Sequence, residues 1–284
     1  MGKLIFLDVD GTIAGPGEPP RPSTVEAIHA ARGRGHKVFL STGRLEADLA
    51  ENVRAIGFDG GIYSAGGRAV VEGKEVLNRP IPKELAWRII DALQAENLFF
   101  MVESSAGTYG SIDGEIQDHG SDLIYTIREI HPFQDEEQRA LVSKRLQTNR
   151  KLPMYKILVL LESTDQAQRL RQELGPAVKI VLFDKLSPDM PWIPGEISDA
   201  SVNKGTAFRF VCDYLNAAPA DTIAFGDSMN DAEILRAAGI GIAMGNAENG
   251  VKEIADQVCE CWNEDGIAKA LVRIGVIEAS EVSG

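Results

Sequence analysis

The sequence predicts an α/β protein: a doubly wound parallel sheet with a separate α+β domain set into it. Three observations carry this. The runs at residues 3–7, 37–40, 222–225 and 240–244 are largely apolar without polar alternation, as in strands buried on both faces. Helical patterns alternate with these runs in a β-α-β-α-β order, which implies parallel strands with helices on the faces of the sheet. The two regions with this pattern flank residues 82–191, where strands and helices follow one another without polar clusters at the strand ends.

The elements follow in order. The first strand, 3–7, leads into a loop and then a Gly- and Pro-rich turn over 15–22. Ser23-Thr24-Val25-Glu26 reads as a capping box opening a helix that ends near Gly33 or Gly35. The strand at 37–40 runs into Ser41-Thr42-Gly43-Arg44, and a helix over 45–56 closes at Gly57. A third strand, 61–64, leads into Ala65-Gly66-Gly67. In the middle region, 83–96 is an amphipathic helix with Leu85, Ile89 and Leu93 on one face. Strands at 98–103 and 108–112, a helix at 136–146, a strand at 156–161, a helix at 165–174 and a strand at 178–183 complete it. After Trp192, 195–202 reads as an acidic, irregular approach to a helix over 203–215. The strand at 222–225 stops at Gly226-Asp227-Ser228-Met229-Asn230-Asp231, and a helix follows over 232–238. The strand at 240–244 stops at Gly245-Asn246, and helices over 249–255 and 265–274 end the chain's pattern. The domains expected are therefore 1–81 with 192–284, and 82–191 between them.

Charge and composition exclude several classes. The 42 acidic residues exceed the 29 basic ones by 13 among 284, which opposes non-specific binding to nucleic acid or an anionic membrane. No apolar run approaches the roughly 20 residues of a membrane helix, and Asp8 and Asp10 cut the N-terminal apolar run short of a signal peptide. Three cysteines, Cys212, Cys259 and Cys261, form no disulfide framework and fit a reducing, cytoplasmic location. Cys259 and Cys261 lack a Cys/His pair spaced to complete a metal site and are expected as part-buried thiols on one face of a strand. His29, His36, His119 and His131 show no ligand spacing. A monomer or homodimer is expected.

Polar residues cluster at strand ends: Asp8 and Asp10, Ser41 and Thr42, then Asp227, Asn230 and Asp231. Ligands of open parallel sheets sit outside the carboxyl ends of the strands, so neighbouring strands would bring these clusters to one crevice. Asp8, Asp10, Asp227 and Asp231 share a small site only if a cation compensates their repulsion. All-oxygen ligation selects a hard cation, and Mg²⁺ is the expected one. The Thr42 hydroxyl, loop amides near Gly43 and Lys204, which opens a helix after a loop, are donors suited to a phosphate. The residues thus point to Mg²⁺-assisted chemistry on a phosphorylated substrate. Asp8, directly off the strand, suits a carboxylate nucleophile. Asp10, two residues on, suits proton transfer to the leaving oxygen and then from water, provided its side chain is not a metal ligand.

Asp8-Val9-Asp10-Gly11-Thr12, Ser41-Thr42-Gly43-Arg44, Asn203-Lys204-Gly205 and Gly226-Asp227-Ser228-Met229-Asn230-Asp231 resemble, in order, the four motifs of the haloacid dehalogenase-like hydrolases. The Thr-Gly-Arg, the Asn-Lys-Gly, the Gly-Asp-x-x-Asn-Asp and the place of the extra domain resemble the Cof-type branch, over the whole chain. The resemblance implies a Rossmann-like core with an α+β cap inserted between motifs two and three. It implies Asp8 as the nucleophile of an aspartyl-phosphate and a Mg²⁺ ligand, and Asp10 as general acid/base lending the metal its backbone carbonyl. Asp227 is implied as the third protein ligand, with Asp231 supporting the metal shell directly or through water. Thr42, the amide of Gly43 and the backbone of Val9 are implied to hold the phosphoryl group. Lys204 is implied to neutralise it, and Asn230 to contact it or orient Lys204. The loop at Ala14-Gly15-Pro16-Gly17 is smaller and richer in proline than the family's usual apolar continuation.

Arg44 is read as a salt-bridge partner, Trp192 as packing, and Tyr109, Asp118, His119 and Arg128 as exposed loop residues. The function expected is hydrolysis of a small phosphorylated metabolite, a sugar phosphate. A phosphomutase on the same scaffold is the alternative enzyme, exposed by a need for a bisphosphate activator. A non-catalytic metal- and phosphate-binding regulator is opposed by the intact Asp8, Asp10, Lys204 and Asp227. A glycosyltransferase with an Asp-x-Asp metal site explains neither Lys204 nor the Asp227 cluster, and an ion-pumping ATPase lacks its membrane helices here.

Overall fold

Four apolar residues, Leu4–Leu7, form strand β1, and all four are buried, as a strand at the centre of a parallel sheet requires. The structure is a computed structural model that describes residues 2–104, 107–110, 153–183 and 191–282. After β1 come helix α1 (Pro22–Gly33), β2 (Lys37–Ser41), α2 (Glu51–Arg54), β3 (Gly60–Tyr63), β4 (Arg68–Val71) and β5 (Lys74–Asn78). Then follow α3 (Lys83–Ala95), β6 (Phe99–Ser104), β7 (Gly107–Gly110), β8 (Met154–Leu161), α4 (Thr164–Leu174), β9 (Val178–Leu182) and β10 (Ile193–Asp199). The chain continues with α5 (Lys204–Tyr214), β11 (Thr222–Gly226), α6 (Ala232–Ala237), β12 (Ile240–Ala243), α7 (Asn249–Ile254), β13 (Gln257–Val258) and α8 (Gly266–Arg273).

These elements divide into two units: Met1–Asn78 with Asn203–Gly284, and Arg79–Val202. In the first, an eight-stranded sheet has the order β13-β12-β11-β1-β2-β3-β4-β5. β1 lies between β2 and β11 and is parallel to both. The chain winds outward from β1 through β2 and β3, then returns to the opposite side of β1 to add β11, β12 and β13. The order therefore reverses between β1 and β11, the place where such sheets bind ligands. Phe6 stacks on Phe39 of β2 at 5.2 Å and meets Phe208 of α5 edge-on at 4.9 Å. That contact seats α5 on the sheet and sets where its first residue, Lys204, lies.

The second unit has its own sheet, of five antiparallel strands in the order β7-β6-β8-β10-β9, and its own core. Ile89, Ile90 and Leu93 of α3 and Leu170 of α4 pack with Phe100, Val102, Ile157 and Ile197 of the sheet. No helix among the described residues is long and apolar enough to cross a membrane.

Several elements differ from the sequence reading for local reasons. Residues 192–202, assigned to the first domain and read as irregular over 195–202, contain β10, which pairs with β8 and β9. Ile81 likewise joins the second core and donates its N–H to Met154 O at 2.7 Å. The chain thus passes between units at 78/79 and 202/203. The helix read over 45–56 is a 3₁₀ turn at Glu46–Asp48 and the short α2, because Leu49 and Ala50 are extended between them. This break lets Leu45, Leu49, Val53 and Ile56 all be buried. The capping box at Ser23 is absent: Pro22 opens α1, and the Ser23 hydroxyl donates to Asp265 Oδ1 at 2.5 Å. β4 and β5, not read from sequence, are a hairpin turned at Glu72-Gly73, both with positive φ. Cys259 and Cys261 follow β13 rather than share a strand face; Cys259 is buried, Cys261 partly exposed, and all three thiols are free. The helix read over 136–146 and the positions Asp118, His119 and Arg128 lie outside the described residues, as does the side chain of Tyr109.

Candidate active site

The register of β1 with β11, Leu7 opposite Phe225, places Asp8 and Asp227 just beyond the carboxyl ends of adjacent strands, on either side of the reversal point. The Asp8 N–H donates to Phe225 O at 3.2 Å, which extends the strand pairing by one bond and holds the Asp8 backbone to the sheet. The next residues turn tightly. Val9 O accepts from the N–H groups of Ile13 and Ala14, and Gly11 N–H donates to Ala14 O at 2.7 Å. Gly11 has φ +80°, and a Cβ there would lie 2.3 Å from Asp227 Oδ2. Glycine is required both by the backbone and by the approach of that carboxylate.

The glycine at 15 has a tertiary cause. A Cβ on Gly15 would lie 2.1 Å from the Trp262 ring. Asn246, after β12, braces the same loop: its Nδ2 donates to Gly11 O at 2.8 Å and its Oδ1 accepts from Trp262 N at 3.1 Å. Sequence reading noted Asn246 only as a strand end. Its signal was the same pattern of a polar residue directly after a buried strand.

Lys204 is the hub of the buried part. Asn203 caps α5, its Oδ1 accepting from Thr206 N at 2.8 Å while Thr206 Oγ1 accepts from Asn203 N at 3.1 Å. This fixes Lys204 at the first turn. Its side chain is wholly buried, and Nζ donates to Asp8 Oδ1 at 2.7 Å, Asn230 Oδ1 at 2.8 Å and Asp231 Oδ1 at 2.6 Å. An ammonium has three protons, and all three are used. Burial opposes its charge, but Asp231 and Asp8 outweigh it and hold Lys204 above the usual lysine range.

Asp8, Asp227 and Asp231 each present an oxygen within 4.8 Å of the others. Burial, and then Asp231 and Asp227, push Asp8 well above the usual carboxylate range against the pull of Lys204. Burial and Asp231 raise Asp227 to about 7. Asp227 Oδ1 is buried with no hydrogen-bond partner among the described residues. A crowded, all-oxygen set with an orphaned carboxylate oxygen fits a hard divalent cation. Asp231 differs from the other two. Its Oδ1 is held by Lys204, and its Oδ2 accepts from Asp227 N at 3.2 Å and Ser228 N at 3.4 Å. The geometry thus ties Asp231 to Lys204 and to the Asp227 backbone.

The expectation that the Asp10 side chain joins a group of four carboxylates is not met. Asp10 is exposed, and Arg44 Nε and Nη2 donate to its Oδ2 and Oδ1 at 2.7 and 2.6 Å. The backbone of Asp10 stays next to the cluster through the short loop from Asp8. Thr42 lies at the end of β2, buried, its N–H on Ile62 O at 2.9 Å and its Oγ1 accepting from Arg44 N at 3.1 Å. Its hydroxyl proton is left to donate elsewhere. Gly43 follows, half-buried. Val9, Thr42–Gly43 and Asn230 follow strands β1, β2 and β11, and Lys204 reaches Asp8 and Asn230 from the first turn of α5.

The haloacid dehalogenase-like hydrolase family model matches residues 5–271. The phosphatase YwpJ of Bacillus subtilis (strain 168) is 27% identical over 282 residues, covering 94% of this chain and 97% of that protein. The 5-amino-6-(5-phospho-D-ribitylamino)uracil phosphatase YcsE of the same organism is 26% identical over 282 residues, covering 95% and 94%. In fold, the chain is similar to a solved phosphatase of the haloalkanoate superfamily from Bacteroides thetaiotaomicron. The TM-score is 0.78 at 23% identity, over 98% of this chain and 96% of that one. With a matched family model over nearly the whole chain and phosphatases as full-length relatives, the protein belongs to the haloacid dehalogenase-like hydrolases, as a phosphoric monoester hydrolase of the Cof type.

Proposed function

We propose that the protein is a Mg²⁺-dependent phosphatase that hydrolyses a small phosphorylated metabolite, a sugar phosphate, through an aspartyl-phosphate on Asp8. The observation that carries this is the buried Asp8–Lys204–Asp231 ion network beside the orphaned Asp227 oxygen, at the reversal point of the sheet. Asp8, Asp227 and the Asp10 carbonyl would hold the ion. When bound, Mg²⁺ supplies charge neutralisation for the carboxylates and the phosphoryl oxygens. Asp231 supports the site through Lys204.

The residues divide the work as follows. Lys204 fixes one oxygen of Asp8 and leaves the other to attack phosphorus. Thr42, the Gly43 amide, the Val9 backbone and Asn230 orient the phosphoryl group. As the ester bond breaks, Asp10 gives its proton to the leaving oxygen, releasing the alcohol. Asp10 then takes a proton from the water that attacks the aspartyl-phosphate, releasing inorganic phosphate and restoring both carboxyl groups. The inserted unit is assigned the role of cap on the family resemblance. The substrate class has support in one relative, which by its name acts on a phosphorylated ribityl compound, a phosphate ester of a polyol. Three free thiols support a reducing, cytoplasmic location.

Metal removal tests the proposal. A chelator should stop phosphate release from p-nitrophenyl phosphate, and Mg²⁺ should restore it; activity that survives chelation overturns the metal assignment. Melting curves give a second readout. The raised Asp227 carboxyl contributes stability to the metal-free protein that is fully present below pH 3.8 and is lost as pH rises through about 7. Asp227→Asn should therefore raise the Tm of the metal-free protein at about pH 8, by about 2–4 °C. It should also abolish the Tm increase that Mg²⁺ gives the wild type. A Mg²⁺-induced increase retained by Asp227→Asn would remove Asp227 from the ligand set.

A further inference from the structure

We propose that Arg44 is the positioning residue for Asp10: its guanidinium fork sets the orientation from which Asp10 transfers protons. The inference rests on the reading of Asp10 as the general acid/base. Asp10 sits in the loop after β1, and its side chain is 51% exposed. An exposed aspartate on a loop samples several rotamers, and proton transfer needs one of them. Arg44 selects one. Its Nε and Nη2 reach the two Asp10 oxygens at 2.7 and 2.6 Å, a bidentate contact that fixes the plane of the carboxyl group as well as its position.

Arg44 can do this because it is itself held. Its N–H donates to Thr42 Oγ1 at 3.1 Å, and its carbonyl accepts from Ser64 N at 2.9 Å. Its side chain is 20% exposed, so it is the fixed partner and Asp10 the guided one. An ion pair with one half exposed contributes little to stability, so the fold gains little from it. The main consequence falls on where Asp10 points. The planar fork also sets Arg44 apart from lysine, which offers a single point charge and cannot bind both oxygens in one plane.

The pair predicts a leaving-group signature. A good leaving group such as p-nitrophenolate departs with little help from an acid, whereas phenolate needs the proton more. The experiment measures kcat/KM of Arg44→Ala, Arg44→Lys, Asp10→Asn and wild type on p-nitrophenyl phosphate and phenyl phosphate, with Tm for each. Arg44→Ala and Arg44→Lys should lose on the order of tenfold more on phenyl phosphate than on p-nitrophenyl phosphate. Asp10→Asn should lose more in the same sense, and the Tm of all variants should stay near that of wild type. If Arg44→Ala fails to fold, Arg44→Lys is read by the same ratio. Equal losses on both substrates in the Arg44 variants, or a wild-type ratio in Arg44→Lys, overturn the positioning role while Asp10→Asn still discriminates. If Asp10→Asn does not discriminate either, the acid/base reading of Asp10 fails and the inference with it.

Discussion

Asp8→Asn is expected to abolish turnover of p-nitrophenyl phosphate, by about 10³-fold or more, while the protein stays folded. The asparagine amide keeps the size of the aspartate, and its oxygen still accepts from Lys204, so the buried position is filled and the hydrogen bond to Nζ survives. What is lost is the second oxygen as a nucleophile. The change also removes one of three crowded carboxylates, one whose burial raises its pKa, while Asp231 stays paired with Lys204, so the metal-free fold should persist. Wild type mixed with labelled substrate and quenched in acid should carry phosphate on the protein; Asp8→Asn should carry none. Asp8→Asn activity within tenfold of wild type, on the scale of a lost positioning contact, would rule out Asp8 as the nucleophile.

Lys204→Met is expected to damage stability and activity together. Lys204 is fully buried and is the counter-charge of Asp8 and of Asp231, whose side chain has no exposure at all. Removing one partner of a buried ion network leaves the other charges uncompensated, at a cost of about 3–5 kcal/mol. Denaturant unfolding of the metal-free protein should show this as a lower midpoint with an unchanged slope. Mg²⁺ should recover part of the stability by neutralising the same carboxylates, but the activity should stay down about 10²-fold or more, since the group that fixes Asp8 is gone. The folded lysine titrates above its ordinary value of 10.5, so its contribution is fully present below that pH and is lost only as pH rises through the higher folded value. The lysine's own titration thus adds no pH dependence near neutrality. A metal-free Lys204→Met as stable as wild type would mean that the carboxylates find another counter-charge.

How far the site was legible in the sequence varies by residue. Asp8, Thr42 and Asp227 were legible because strand and polar residue are contiguous, and Asp231 through the polar cluster that follows: an apolar run that stops on a carboxylate or hydroxyl marks the end of a buried parallel strand. Lys204 was legible through its place at the start of a helix. The three Nζ contacts were not, since they join residues 196, 26 and 27 positions apart. The separation of Asp10 from the carboxylate group was also hidden. It depends on Arg44, 34 residues away, holding both of its oxygens. The strand at 193–199 escaped because Pro194, Gly195, Glu196 and Ser198 suppress its apolar pattern. It is a strand because β8 and β9 flank it on both sides, and neighbours decide strand formation more than propensity does.

The amino-acid order by itself determined the class of the fold and the polar side chains offered at three strand ends, because burial on two faces and strand-end polarity are local patterns. Only the tertiary structure decided the pairings. The order of strands put β11 beside β1 and so brought Asp227 to Asp8. The packing of Phe208 on Phe6 put Lys204 between Asp8 and Asp231. The turn of the second loop gave Asp10 to Arg44. Such distances depend on how far each side chain reaches across neighbouring strands, and no one-dimensional pattern encodes that.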